Sequence, residues 1–217
     1  TASHVACSVS AEPAPKSSDK GMATALTRLA VWASGTGSNA QNLIQAFKNH
    51  PNIRVVLVVT NNPDAPVVAK AAALKVPVLL LGPQSWKDGH ELLQQLKGYA
   101  VDALVLAGFL RKIPDYLLEA YPERIVNLHP SLLPDFGGKG MYGMHVHRAV
   151  LDSGQRHSGI TIHLVDREYD TGPILAQYRC DILAGDTPQS LADRIHALEH
   201  AHYPDVVASW VEGWTGT

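Results

Sequence analysis

Cysteine is scarce in this chain of 217 residues, which contains only Cys7 and Cys180. Two isolated cysteines exclude a disulfide framework and lack the paired spacing that a structural zinc site needs. Long apolar runs are missing as well. The stretch from Val76 to Leu81 suffices for a strand, whereas a membrane span needs roughly 20 apolar residues. We therefore predict a cytoplasmic protein that makes no membrane contact.

An excess of charge of one sign is also lacking, because 18 basic residues are balanced by 20 acidic ones. Without a basic block, the sequence gives no electrostatic footprint for nucleic acid. The hydrophobic content of 46% is typical of a globular chain with one substantial core. Small molecules are therefore the expected partners, and both a monomer and a homodimer stay open.

The amino-terminal residues lack the basic start and apolar core of a signal peptide. Residues 1–25 are predicted to be a tail that is disordered or carried over from an expression vector, because residues 11–21 are rich in Pro, Ser, Ala and Lys. We expect a single domain over residues 26–217.

Apolar, β-branched runs alternate with helical patterns along most of this domain. The predicted order is strand 29–33, helix 39–49, strand 53–59, helix 65–74, strand 76–81, helix 86–98, strand 103–107, helix 115–120 and a strand ending at His129. Such alternation predicts a three-layer α/β/α fold with a mostly parallel, Rossmann-like sheet. A glycine-rich insert at 137–143, a helix 145–152, strands 159–165 and 174–180, and a long helix 187–210 capped by Thr187 or Asp186 complete the prediction.

A glycine-rich turn, Ser34-Gly35-Thr36-Gly37-Ser38-Asn39, follows the first strand and opens the first helix. Backbone N–H groups and the positive helix end converge there, which favours an anion at Gly37, Ser38 and Asn39. A dinucleotide is disfavoured because the second strand ends in Thr60-Asn61-Asn62 without an acidic residue for a ribose. A phosphomonoester fits better, and a plain strand-to-helix turn is the alternative.

Asn127 and His129 lie two residues apart where a strand ends, so their side chains share a face. An amide can donate to a developing oxyanion, and an imidazole can carry a proton between two nitrogens near neutral pH. This pair indicates acyl chemistry at the carboxyl edge of the sheet, where open α/β folds bind ligands.

Asp170 lies in a turn-rich loop between two predicted strands. If its carboxylate approaches His129, it should favour the imidazolium and raise the pKa of that histidine. A solvated turn aspartate is the alternative. His163 shares a strand face with Thr161 and could line the pocket or fill the core. Histidine pairs two residues apart on a helix point away from each other, so no metal site is predicted.

These motifs resemble those of the folate-dependent formyltransferases. The resemblance rests on Asn127-x-His129-Pro-Ser-Leu-Leu-Pro134, on Asp170-Thr-Gly-Pro173, 41 positions after the histidine, and on the glycine-rich turn. It covers about residues 28 to 212 and implies that Asn127, His129 and Asp170 act together. The implied activity is transfer of the formyl group of 10-formyltetrahydrofolate, the co-substrate, to the amine of glycinamide ribonucleotide in purine synthesis.

The resemblance also implies binding roles. The turn at Gly37, Ser38 and Asn39 would hold the substrate phosphate, and Glu199 would contact its glycinamide end. The folate would be contacted by Asn127 and by the segment Leu110, Arg111, Lys112 and Ile113. This chain departs from the family by a longer glycine-rich insert and by having no arginine near residues 86–91. Lys87 or His90 could replace that basic folate contact, with His90 reaching the pocket.

Three rival functions stay open. A formyltetrahydrofolate hydrolase would share the three polar residues, but an amino-terminal regulatory domain is expected there and the residues before the first strand are too few. A methionyl-tRNA formyltransferase would need a further carboxyl-terminal domain and a basic surface. A binding module without catalysis could use the glycine-rich turn alone.

Overall fold

The computed structural model describes residues 25–216, so most of the tail predicted for residues 1–25 lies outside the described residues. The strands are β1 Thr27–Trp32, β2 Ile53–Thr60, β3 Val78–Leu80, β4 Ala103–Leu106, β5 Ile125–His129, β6 His157–Leu164 and β7 Ile174–Asp181. The helices are α1 Ser38–Ala46, α2 Pro66–Ala73, α3 Pro83–Asp88, α4 His90–Gly98, α5 Asp115–Ala120, α6 Met144–Asp152 and α7 Pro188–Glu212, with a final 3₁₀ turn at Gly213–Gly216.

One sheet of seven strands organises the chain, in the order β3-β2-β1-β4-β5-β6-β7. The five strands from β3 to β5 are parallel, and β6 and β7 are antiparallel to their neighbours. Two buried clusters cover the two faces: one joins the sheet to α1, α2, α6 and α7, and the other joins it to α4 and α5. The predicted three-layer, mostly parallel α/β/α fold is confirmed.

The long helix α7 begins as the sequence predicts. Thr187 accepts a hydrogen bond from the Ser190 backbone N–H, and the Ser190 hydroxyl accepts one from the Thr187 N–H, which forms a capping box. Pro188 occupies the first helical turn, where its missing N–H costs nothing. Among the helices of residues 25–216, none is both long and apolar enough to cross a membrane.

The helix predicted over residues 86–98 is wrong as a single element, because the chain forms α3 and α4 with a break at Gly89. Gly89 adopts φ +73° and lies so close to Tyr116 that a Cβ there would be 2.7 Å from the ring. Only glycine meets both demands at low cost, so it ends one helix and starts the next. The other predicted elements are present with small shifts at their ends.

Candidate active site

Strand β5 carries Asn127 and His129 to a cavity of about 840 Å³. Both side chains line this cavity, as the two-residue spacing predicts, and His129 is only 3% exposed. Most of the remaining lining comes from the glycine-rich turn, the segment after β4, the insert before α6 and the start of α6, the end of β6 with the loop after it, and one face of α7. The strand therefore places an amide and an imidazole in one open cavity.

Asp170 meets both groups although it lies far away in the sequence. Its Oδ2 is 3.6 Å from His129 Nδ1, and its Oδ1 accepts a long hydrogen bond of 3.5 Å from Asn127 Nδ2. Asp170 has φ +57°, a left-handed conformation that aspartate tolerates better than most residues. The Gly138 N–H donates to its Oδ2 over 2.8 Å, which ties the carboxylate to the glycine-rich insert.

The predicted rise in the His129 pKa is wrong in its net direction. Burial lowers the pKa of His129, and this outweighs the raising effects of Asp170 and of the Phe136 carbonyl. His129 Nε2 donates to that carbonyl over 2.9 Å, so in the neutral ring the proton is on Nε2. Nδ1 is left as the basic nitrogen, facing the carboxylate at a distance too long for a direct hydrogen bond.

The pKa of Asp170 is shifted below its usual range, so this residue is anionic at neutral pH. Burial alone would raise the pKa of Asp170, but His163, the charge of His129 and the Gly138 N–H together lower it further than burial raises it. The resting site therefore pairs a neutral imidazole with a fixed negative charge. If Nδ1 of His129 takes up a proton, the carboxylate of Asp170 stabilises the resulting imidazolium.

His163 is 2% exposed and lines the cavity beside Asn127. Its Nδ1 donates to the Leu164 carbonyl over 2.8 Å, which leaves Nε2 of the neutral ring as an acceptor. Asn127 Nδ2 donates to this nitrogen over 3.0 Å. Both alternatives foreseen for His163 hold, since it is buried and it also faces the pocket.

The glycine-rich turn forms the opposite wall of the cavity through residues 35–39. Gly37 is the N-cap of α1 with φ +67°, and no side chain caps this helix. The first backbone N–H groups of α1 therefore have no partner within the helix and lie at the positive end of its dipole. Ser34 fixes the turn by donating to Asn61 Oδ1 over 2.6 Å and accepting from the Leu110 N–H over 3.1 Å.

Glu199 connects the glycine-rich turn to α7. Its Oε2 accepts a hydrogen bond of 2.8 Å from Asn39 Nδ2 and one of 3.0 Å from His196 Nδ1. Hydrogen bonding to Glu199 raises the pKa of His196. Asn39 is 9% exposed, and its Oδ1 is buried without a partner. The cavity thus holds a carboxylate and a histidine whose protonated form that carboxylate favours, both next to the helix end.

The segment Leu110, Arg111, Lys112 and Ile113 also lines the cavity, where the resemblance places the folate. The Leu110 N–H is already used by Ser34, so this residue offers its carbonyl and side chain. Arg111 lies over the Trp86 ring with its guanidinium carbon 5.7 Å from the centroid. The glycine-rich insert contributes Gly138 to Gly143 to the lining, so it forms part of the cavity wall.

His90 does not reach the cavity, contrary to the expectation for it. The residue is exposed on α4 and its Nε2 is hydrogen-bonded to Gln94 over 3.0 Å. Lys87 is likewise outside the lining. The basic residues that line the cavity in this segment are Arg111 and Lys112.

Two histidines in the cavity were not assigned a role from the sequence. His196 precedes Glu199 by three positions on a helix, a spacing that puts them on one face and could have revealed the pair. His147 lies two positions after His145 on a predicted helix, a spacing that argues against a shared metal site, and nothing in the sequence shows that the ring is buried. Within residues 25–216 no group of three or more His, Cys, Asp or Glu side chains has the geometry of a metal site.

Comparison with known proteins identifies related chains. The formyl transferase family model matches residues 27–207. The chain is 46% identical over 191 residues to a chloroplastic phosphoribosylglycinamide formyltransferase of Arabidopsis thaliana, covering 85% of this chain and 65% of the relative. It is 37% identical to the phosphoribosylglycinamide formyltransferase of Bacillus subtilis, covering 84% of this chain and 93% of that protein. The chain therefore spans under two thirds of the plant relative.

Solved structures agree with this relationship. A phosphoribosylglycinamide formyltransferase from Bacillus halodurans superposes with a TM-score of 0.76 at 40% identity, covering 83% of this chain and 93% of that one. A glycinamide ribonucleotide transformylase from Symbiobacterium toebii gives a TM-score of 0.79 at 34% identity, covering 87% and 89%. Fold and sequence thus point to the same group of proteins.

Proposed function

Because the chain belongs to the formyl transferase family, we propose that it transfers the formyl group of 10-formyltetrahydrofolate to the primary amine of 5'-phosphoribosylglycinamide. This is a step of de novo purine biosynthesis. The proposal makes the chain a phosphoribosylglycinamide formyltransferase, the name that its relatives from plants and Bacillus subtilis carry.

The observation that supports this proposal most is the meeting of Asn127, His129 and Asp170 in one cavity. The carboxylate lies 3.6 Å from the imidazole and 3.5 Å from the amide. The same cavity contains the uncapped start of α1 on one side and the segment 110–113 on the other. An anionic substrate and a folate could therefore bind side by side with the reacting groups between them.

Binding would divide the cavity between the two substrates. Gly37, Ser38 and Asn39 would hold the phosphate through backbone N–H groups, and Glu199 would hold the glycinamide end. Leu110 to Ile113, with Asn127, would hold the folate. Placing the amine beside the formyl carbon supplies much of the rate by proximity, so no covalent enzyme intermediate is needed.

Proton movement follows from the resting state of His129. The amine attacks the formyl carbon and the carbonyl oxygen becomes an oxyanion. Nδ1 of the neutral His129 then takes the proton that the attacking nitrogen loses, and Asp170 stabilises the imidazolium. The same proton passes to N10 as the bond from carbon to N10 breaks and the carbonyl re-forms. The products are the formylated amide and tetrahydrofolate.

Asn127 would stabilise the oxyanion. One of its amide N–H groups is held by His163, whereas the other makes only the long contact of 3.5 Å to Asp170. This second N–H is therefore the one available to a developing oxyanion. A preorganised donor of this kind contributes on the order of 10²–10³ to the rate.

The remaining assignments are proposals of the same kind. We propose a single domain over residues 26–217, 10-formyltetrahydrofolate as the co-substrate, no metal, no nucleic-acid or membrane partner, a cytoplasmic location, and a monomer or homodimer. The near balance of 18 basic and 20 acidic residues supports small-molecule partners.

An acceptor assay tests the proposed reaction. Purified protein is given 10-formyltetrahydrofolate with and without glycinamide ribonucleotide, and both folate and nucleotide products are followed. Formylated nucleotide in step with folate loss supports the transferase. Folate loss that needs no acceptor would indicate the hydrolase instead.

A substitution separates the transferase from a binding module. His129→Ala should reduce turnover by about 10²–10⁴-fold with little change in substrate affinity, because it removes the proton carrier. His145→Ala is the matched control, since His145 is exposed on α6 and lies outside the cavity. Wild-type protein that binds the nucleotide but forms no product would support the binding module.

A further inference from the structure

His147 is a buried titratable residue that the proposed reaction does not use. It lies on α6, is 5% exposed and lines the cavity. Its neighbours on the same helix, Val146 and Val150, pack into the core and fix the helix against α7. The ring therefore has a defined position in the cavity wall.

The two ring nitrogens of His147 differ in their surroundings. Nδ1 is buried and has no hydrogen-bond partner. Nε2 has no partner among residues 25–216 either, but it is not one of the buried atoms, so a molecule in the cavity can reach it. A buried N–H without a partner is rarer and more costly than a buried acceptor without one. The neutral ring thus keeps its proton on Nε2 and presents a donor to the cavity.

Two groups of the proposed site act on this ring. Burial lowers the pKa of His147, the carboxylate of Glu199 raises it and the ring of His129 lowers it again. The ring is therefore uncharged at neutral pH, and it lines the same cavity as Glu199 and His129.

We propose that His147 Nε2–H donates a hydrogen bond to the carbonyl oxygen of the glycinamide arm, which makes His147 a further substrate-binding residue. This inference rests on the proposed function. The carbonyl lies between the ribose and the amine, and it can only accept. Glu199 is itself an acceptor and cannot hydrogen-bond to this carbonyl oxygen. The uncharged Nε2–H of His147 can donate to it and does not take up the proton of the amine.

Affinity measurements with two probes test this contact. Calorimetry compares glycinamide ribonucleotide with ribose 5-phosphate, which lacks the glycinamide arm. His147→Leu should weaken binding of the ribonucleotide by about tenfold, the size of one hydrogen bond, and leave ribose 5-phosphate within twofold. His147→Gln should recover most of the loss, because its amide places an N–H near the position of Nε2. His145→Leu should change neither affinity.

The outcomes separate this contact from the proposed function. Equal losses for both probes, or no loss for either, would overturn the contact. Wild-type protein that binds ribose 5-phosphate but not the ribonucleotide would overturn the contact and the function together. If His147→Leu does not fold, ¹⁵N spectra of the wild-type ring decide. The Nε2 signal should be protonated and should shift with the ribonucleotide only, and an unprotonated or unresponsive Nε2 would overturn the proposal.

Discussion

His163 holds the amide of Asn127 in one orientation across the antiparallel pair of β5 and β6. The two residues are direct partners in the register, and Asn127 Nδ2 donates to His163 Nε2 over 3.0 Å. In the neutral ring His163 Nδ1 donates to the Leu164 carbonyl, so Nε2 accepts from Asn127, and the same nitrogen lies 3.5 Å from Asp170 Oδ1. The strand register thus prepares a hydrogen-bond donor in advance of substrate binding.

Replacing His163 should disturb the reaction more than binding. His163→Leu removes the acceptor, so the Asn127 amide can rotate away from the position of the oxyanion. We expect kcat to fall by about 10²-fold, as for a small misplacement of a catalytic group, with KM for the folate within about threefold of the wild-type value. Steady-state kinetics measure this, with His157→Gln as the control, because His157 lies on the same strand, is half-buried and is outside the cavity. A fall in affinity without a fall in kcat would contradict it.

Removal of the Asp170 charge should alter both rate and pH dependence. Asp170→Asn should lower kcat by about 10²–10⁴-fold and leave folate binding largely intact. Asp170 raises the pKa of His129, so its loss lowers that pKa. His129 then stays neutral to a lower pH, so the acid limb of the kcat/KM profile shifts to lower pH. A pH profile of both proteins measures the shift, and a limb displaced to higher pH would refute neutral His129 as the proton acceptor.

Substitution by alanine should have different effects at two glycines of the glycine-rich turn. A Cβ on Gly35 would meet nothing within 4 Å, whereas a Cβ on Gly37 would lie 2.3 Å from the Val67 side chain at φ +67°. Gly35→Ala should therefore leave stability unchanged. Because Gly35 lines the cavity next to the proposed phosphate contacts of Gly37, Ser38 and Asn39, the added methyl group should raise KM for the ribonucleotide by about tenfold. Equal changes in KM for both substrates would argue against a phosphate site there.

Gly37→Ala should instead reduce stability by about 1–3 kcal/mol through strain and overlap with Val67. Thermal unfolding of both variants measures this contrast. Gly35→Ala serves as the matched control, and unfolding temperatures that are the same for the two variants would contradict the contrast.

Asp186 should stabilise the start of α7 in a pH-dependent way. Its carboxylate accepts two hydrogen bonds of 2.8 and 3.0 Å from Arg194 and is 5% exposed. The Arg194 hydrogen bonds, with those from Leu183 and Ser190, hold the pKa of Asp186 far below its usual range. Asp186→Asn should therefore cost about 1–2 kcal/mol at pH 7, after allowance for screening by solvent.

The sign of the pH dependence follows from the lowered pKa of Asp186. The stabilisation is fully present above the aspartate pKa of the unfolded chain, about 4, and is lost as the pH falls from there toward the folded value. The difference in the free energy of unfolding between wild type and Asp186→Asn should therefore become smaller at acidic pH. Exposed Asp152→Asn is the control in thermal unfolding, and a difference that widens below pH 4 would refute the assignment.

Much of the fold could be predicted from the sequence, because strands and helices here follow the periodicity of their apolar residues. The break at Gly89 was missed because the helical pattern continues across it, although glycine in a left-handed conformation commonly ends a helix. The ring of Tyr116 next to Gly89 is a tertiary contact that the local pattern does not show.

Some features of the candidate site could likewise be predicted from the sequence, and others could not. The spacing of Asn127 and His129 predicts that they share a face, since strand geometry fixes it. The direction of the His129 pKa shift depends on how deeply the fold buries the ring. The sequence indicates a nearby carboxylate, but it does not show how deeply the ring is buried. The cavity role of His147 was missed for the same reason, because burial decides it.

The proton positions in the two site histidines are set by peptide carbonyls, of Phe136 for His129 and of Leu164 for His163. A peptide carbonyl is common to all residue types, so exchanging either side chain at 136 or 164 cannot delete it. A substitution at either position therefore keeps the acceptor that sets the tautomer, provided that the path of the backbone does not change.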